Sequence, residues 1–204
     1  MNDLTQSFLT LAPGTPMEGG FFGGNFTHAG TNYALIVAPK AEGQSGGIWI
    51  PRNKDVPGAK SYNDGIANTM AMAEAGSKIA QWALALRIAD CADWYLPSQD
   101  ELEILYRNLK PTAEENYCYA RSGINLSALP PTRPYTPDFP VQTQAEAFRL
   151  DGPEAFDEAW YWSSTQHAAT SGIAWIQNFG GGSQIYYDKS FEARARAVRR
   201  LVIS

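Results

Sequence analysis

The chain has 204 residues, of which 44% are hydrophobic and 12% aromatic, enough to bury a sizeable core in one compact domain. Its net charge of -5 at pH 7 argues against nucleic acid as a partner, because phosphate binding needs clustered Lys and Arg. No apolar stretch reaches bilayer-spanning length, and the N-terminus lacks the basic-then-apolar order of a signal peptide, so a soluble protein made in a cytoplasm is expected. With only two cysteines, Cys91 and Cys118, no disulfide framework is needed; reduced thiols are the expectation and a single bridge the alternative.

Residues 1–31 carry Pro13, Pro16 and a Gly19–Gly24 run interrupted by Phe21 and Phe22, without the period of either regular element. They read as an N-terminal arm whose phenylalanines pack on this domain or on a neighbouring subunit, ahead of a domain over 32–204. Tyr33–Ala38 is a continuous apolar run suited to a strand buried on both faces, and Gly46–Trp49 begins a second strand stopped by Pro51. Helical spacing over 61–89 gives two helices or one broken at Gly76-Ser77. Ser98-Gln99-Asp100-Glu101 is a capping box, followed by the apolar stripe Leu102, Leu105, Tyr106 and Leu109 and stopped at Lys110-Pro111. Seven of the 13 prolines then fall between Pro111 and Pro153, which predicts a long irregular insertion at about 111–158. Three strands follow, at Trp160–Thr165, Ala174–Phe179 and Ser183–Asp188, the last two joined by the Gly180–Gly182 turn, and Arg196–Ile203 closes the chain. The basic residues from Arg194 to Arg200 read as solvated strand edges.

Several motifs in this order resemble one family. Asp93-Trp94-Tyr95-Leu96-Pro97-Ser98, then Glu101-Leu102, then Trp162-Ser163-Ser164-Thr165, then Ala174-Trp175 with Phe179 before a glycine turn, then Val198-Arg199, are similar to the signature of the Lcl C-terminal domain family, a domain of unknown function with a C-type-lectin-like fold. The resemblance covers about 32–203. Tyr95 stands where the family usually has Arg, and the span between the two halves of the signature is long and proline-rich. The resemblance implies an α+β, C-type-lectin-like fold of two or three helices on small antiparallel sheets with long irregular loops. In that fold the last strand lies beside the first. Trp94, Pro97, Ser98, Glu101, Trp162, Trp175 and Phe179 are then structural supports. Relatives of this kind occur in phage tails and on bacterial surfaces.

Catalytic chemistry finds little purchase. His28 and His167 sit in no recognisable motif, and Ser163 and Ser164 lie in a strand rather than a nucleophile elbow. No zinc or EF-hand spacing occurs, so no metal or cofactor is expected. Asp138, Glu146, Asp151, Glu154, Asp157 and Glu158 gather around the long insertion and keep a carbohydrate-active hydrolase open as an alternative.

The aromatic and amide-rich strands point to binding instead. Alternation puts Trp175, Gln177 and Phe179 on one face and Ala174, Ile176 and Asn178 on the other. With the first set taken as the core side, an exposed patch of His167, Ile176, Asn178, Ser183, Gln184 and Tyr186 is expected, over buried Trp162 and Trp175. The reading is a non-enzymatic phage tail or virion protein that displays this patch for host-surface attachment or serves in tail assembly. It would be a homo-oligomer, joined to other tail proteins through the arm, with a host glycan or protein as ligand and no membrane insertion. A bacterial surface adhesin-like module is the second reading.

Overall fold

A computed structural model describes residues 10–51, 54–118 and 123–203. Among these residues the class is α+β, with nine strands in two sheets. The first sheet has the order β1 (Pro16–Met17), β2 (Gly20–His28), β3 (Thr31–Val37), β9 (Val198–Val202) and is antiparallel throughout. Tyr33 faces Val202 and Val37 faces Val198, so the apolar run near the start and the closing strand are neighbours, as expected. The second sheet runs β4 (Gln44–Ile48), β8 (Glu192–Arg196), β5 (Trp160–Gln166), β6 (Ile173–Asn178), β7 (Gln184–Asp188). Among the described residues its one parallel register is Tyr161 opposite Arg194 between β5 and β8. The chain passes between the sheets twice, through α1 (Lys40–Gly43) and through Ala197, and the crossings are tied by Ala38 N–H to the Ala197 carbonyl (3.0 Å) and Ala197 N–H to the Gly43 carbonyl (2.8 Å).

The stretch read as an arm contributes two strands of the first sheet, and Phe22 and Phe26 are fully buried in this domain. Its missing periodicity has a packing cause: at Gly23 a Cβ would lie 2.5 Å from the Leu105 side chain, so the strand needs glycine where alternation would place an apolar residue. Residues 1–9 lie outside the described residues.

Helices α2 (Gly65–Glu74) and α3 (Lys78–Ala85) resolve the 61–89 pattern into two. Asp64 caps the first, accepting from Ala67 N–H, and Ser77 caps the second, accepting from Ala80 N–H while its hydroxyl donates to the Trp49 carbonyl at 2.5 Å. They cover one face of the second sheet, closing a core of Trp49, Met72, Ile79, Ala83, Trp162 and Ile176. Helix α4 (Gln99–Leu109) starts in the expected capping box, and Leu102, Leu105, Tyr106 and Leu109 are all buried against Phe26, Leu35, Tyr161 and Phe179. Tyr95, the departure from the family pattern, supports that box: its hydroxyl donates to Glu101 at 2.6 Å.

Among its described residues the 111–158 insertion has one short helical turn, Glu146–Phe148, and is nonetheless packed. Asn116 Nδ2 donates to the carbonyls of Thr136, Pro137 and Pro140, while its Oδ1 accepts from Tyr106. Asn125 Nδ2 reaches the Asp100 carbonyl and Glu103, and Tyr135 also donates to Glu103. Side-chain-to-backbone bonds replace a ladder here, which is why no period marks the segment.

Candidate binding edge of the second sheet

The expected patch is divided by the register of the β6–β7 hairpin. Trp175 pairs with Tyr186 and Gln177 with Gln184, so these four share one face, while Ile176 and Asn178 point to the other with Trp162 and Ile185. The cause lies in the turn. Asn178 Oδ1 accepts from Gly180 N–H (2.9 Å) and Gly181 N–H (2.8 Å), and Gly182 takes φ +78 where a Cβ would meet the Tyr106 ring at 2.5 Å. The chain returns one residue away from the register in which Tyr186 joins Ile176, and a slip of one residue exchanges faces.

The outcomes differ by residue. Ile176 is 1% exposed and belongs to the core under α2 and α3, so it is no surface contact. Both faces of this sheet are covered, and aliphatic Ile176 fits the drier side. Asn178 is half-buried and spends its carbonyl on the turn. Ser183 is half-buried in the same turn, its carbonyl accepting from Asn178 N–H. Gln184 is 5% exposed beneath the start of α4: its Oε1 accepts from Gln99 Nε2 (3.1 Å) and its Nε2 donates to the Gln99 carbonyl (2.9 Å). Trp175, expected as a buried support, is half-buried and stands in the surface cluster itself. The other supports are interior: Trp94, Ser98, Glu101, Trp162 and Phe179 are buried, and the Pro97 carbonyl receives Ser164 N–H and its hydroxyl.

What the structure brings together is His167, Trp175 and Tyr186. Ring centroids lie 4.8 Å apart for His167–Tyr186, 5.5 Å for Trp175–Tyr186 and 5.9 Å for His167–Trp175. The two contacts of Tyr186 are edge-to-face, a geometry that stabilises the rings against one another. His167 Nδ1 accepts from Thr170 N–H at 3.1 Å, which in a neutral imidazole leaves the proton on Nε2. Tyr186 is 49% exposed. On the same face, the Trp175 indole N–H, Gln177 Oε1 and Gln99 Oε1 are buried without a hydrogen-bond partner among the described residues. Such atoms are uncommon in a closed core.

Charged groups are mostly committed elsewhere. The expectation of solvated basic edges is corrected: Arg196 is fully buried and pairs with Glu154 at 2.8 Å, Arg199 is buried and binds Asp93 at 2.8 Å, and Arg200 reaches Asp64 at 3.3 Å. Alternation gave no hint, because an ion pair with a distant loop looks like a surface charge in sequence. Asp157 takes Lys40 and Arg194, each at 2.8 Å; burial opposes its charge, yet the Lys40 bond and the two cations hold its carboxyl below the usual range. Glu101 and Glu103 are pushed up by burial, against the bonds each accepts, and both are sealed from solvent. Asp138, Glu146, Asp151 and Glu158 are exposed. Among the described residues no three of His, Cys, Asp and Glu gather to hold a metal ion. Both cysteines are free.

The sequence profile of the Lcl C-terminal domain matches residues 43–199. No curated protein matches the chain. Among solved structures, a fimbrial protein from Bacteroides ovatus is similar with a TM-score of 0.47 and 14% identity, over 84% of this chain and 36% of that one. The chain thus spans about a third of that protein's length.

Proposed function

The chain belongs to the Lcl C-terminal domain family, and from that premise we propose a non-enzymatic display protein of a phage tail, with a C-type-lectin-like fold that presents the His167–Trp175–Tyr186 edge for attachment to a host surface. One observation carries the reading: three aromatic rings, all within 6 Å of one another, stand at an open sheet edge, Trp175 and Tyr186 on paired strands and His167 just past the end of β5. Rigid aromatic side chains with polar tips give contact area at low entropic cost. The pairing of β3 with β9 and the long packed insertion support the lectin-like architecture. The ion-paired state of Glu154 and Asp157 supports binding over catalysis.

Adsorption of particles carrying Trp175→Ala or Tyr186→Ala tests this. Loss of an aromatic anchor should weaken attachment by more than about 1 kcal/mol, roughly fivefold, while Tyr187→Ala on the opposite face leaves it unchanged. Unchanged adsorption by both variants, with the proteins verified in the particle, would remove this edge as the attachment surface.

A further inference from the structure

Strand β7 is the last strand of the second sheet, and among the described residues nothing pairs with its outer side. The bonds at its two ends fix which backbone groups face outward. The Ser183 carbonyl accepts from Asn178 N–H, and Lys189 N–H donates to the Gly172 carbonyl, so residues 183 and 189 face β6. Hydrogen-bonded and non-bonded positions alternate along an antiparallel pair. Residues 185 and 187 therefore also bond inward, and the N–H and C=O groups of Gln184, Tyr186 and Asp188 point away from the sheet. The Asp188 carbonyl keeps one bond, from Phe191 N–H. Natural edges are commonly guarded by Lys, Pro or a bulge. The sequence Gln-Ile-Tyr-Tyr-Asp has none of these, its pairing with β6 is regular, and Tyr186 and Tyr187 are each about half exposed.

We propose that β7 pairs antiparallel with β7 of a second copy about a twofold axis at Tyr186, joining two five-stranded sheets into one. The strand is self-complementary in that register. Tyr186 opposes Tyr186 of the partner subunit, Ile185 opposes the partner's Tyr187, and Gln184 opposes the partner's Asp188. Aromatic–aromatic and aromatic–β-branched pairs across strands are stabilising, and no like charges face each other. All three outward residues meet outward residues. Centring on Ile185 or Tyr187 instead would match only two of the three and run into the glycine turn or the buried Lys189. An interface built on the same patch of both copies closes on itself, so the assembly stops at two at this edge.

This pairing goes beyond the attachment reading: it needs the outward backbone of β7 as well as the Tyr186 ring, so Trp175→Ala, which leaves β7 intact, should weaken attachment and leave the dimer unchanged. The two aromatic clusters would lie side by side across the axis, offering a ligand two contacts instead of one. Light scattering of the purified chain over a concentration series should give the mass of two chains at high concentration. Tyr186→Pro removes an N–H that no intrachain bond uses, and should return the mass to one chain with circular dichroism unchanged. In a Cys91→Ser, Cys118→Ser background, Tyr186→Cys should oxidise to a covalent dimer, since directly opposed Cα atoms in a bonded pair lie about 5.5 Å apart, within disulfide reach. Ile185→Cys, opposite Tyr187 of the partner subunit, should not. A single-chain mass at the highest concentration, a dimer indifferent to Tyr186→Pro, or crosslinking equal at both positions would overturn the proposal; if Tyr186→Pro fails to fold, the crosslinking pair decides.

Discussion

Leu105 is the side chain that seats α4 against β2. It is fully buried on the inner face of α4, and on its far side lies β2 backbone at Gly23. Leu105→Ala removes three carbon groups, about 2.4 kcal/mol of transfer free energy at about 0.8 each. The rest depends on how far the site can close. The wall opposite is β2 backbone at a bulge between Phe22 and Gly24, where the Gly23 carbonyl accepts from Asn108 Nδ2 of α4, and the flanking Leu102 and Leu109 are themselves filled sites. A residual cavity on the order of 50 Å³ adds about 1.2 kcal/mol at about 24 cal/mol per Å³, for a total near 3.5 kcal/mol. In a chain of this size that lowers the melting temperature by roughly 7–14 °C. Urea unfolding followed by far-ultraviolet circular dichroism measures it, with Met70→Ala, at an exposed helix position, as a control expected within about 0.5 kcal/mol of the parent. A loss below about 1 kcal/mol with an unchanged slope against urea would show that α4 is not seated against β2.

Asn178→Ala should cost about 1–2 kcal/mol of stability through the two turn bonds it removes, and should leave attachment by the folded protein intact; weakened attachment at full stability would restore Asn178 to the binding surface. Lys189 is buried over the Trp49 ring with its amine on the Lys54 and Gln166 oxygens, and burial lowers its pKa to about 8. Between about pH 8 and the ordinary lysine value near 10.4 the unfolded chain holds the extra proton, so this residue makes stability rise with pH across that window and adds no slope below it. Unfolding of Lys189→Met measured against the parent at several pH values should lack this contribution, and identical slopes would refute the assignment.

Much of the frame was legible because local chemistry and global packing agree there. The capping box at Ser98 and Glu101, the stripe ending at Leu109, and the Gly76-Ser77 break each rest on interactions within a turn or two of sequence. The pairing of β3 with β9 came through the family resemblance rather than through any local signal. The strand in residues 20–28 was illegible because its glycines answer to Leu105 and to the β3 backbone, which lie elsewhere in the chain.

The site shows where period-two reasoning stops. Alternation correctly separated Trp175 from Ile176, but it is symmetric: it divides a strand into two faces without saying which is drier or how the next strand is registered against it. Both faces of the second sheet are covered, one by α2 and α3 and the other by α4, so hydrophobicity could not break the tie. The tie is broken by Asn178, whose side chain caps the glycine turn and sets Tyr186 opposite Trp175. Once that register is known, the rest follows: Gln184 must meet Gln99 under the helix, Tyr186 must stand at the rim beside His167, and its backbone must face outward. A single Asx turn thus decides which residues of the hairpin can touch a partner, and its signal, Asn two residues before Gly-Gly-Gly, was present in the sequence but gives a turn and not a register.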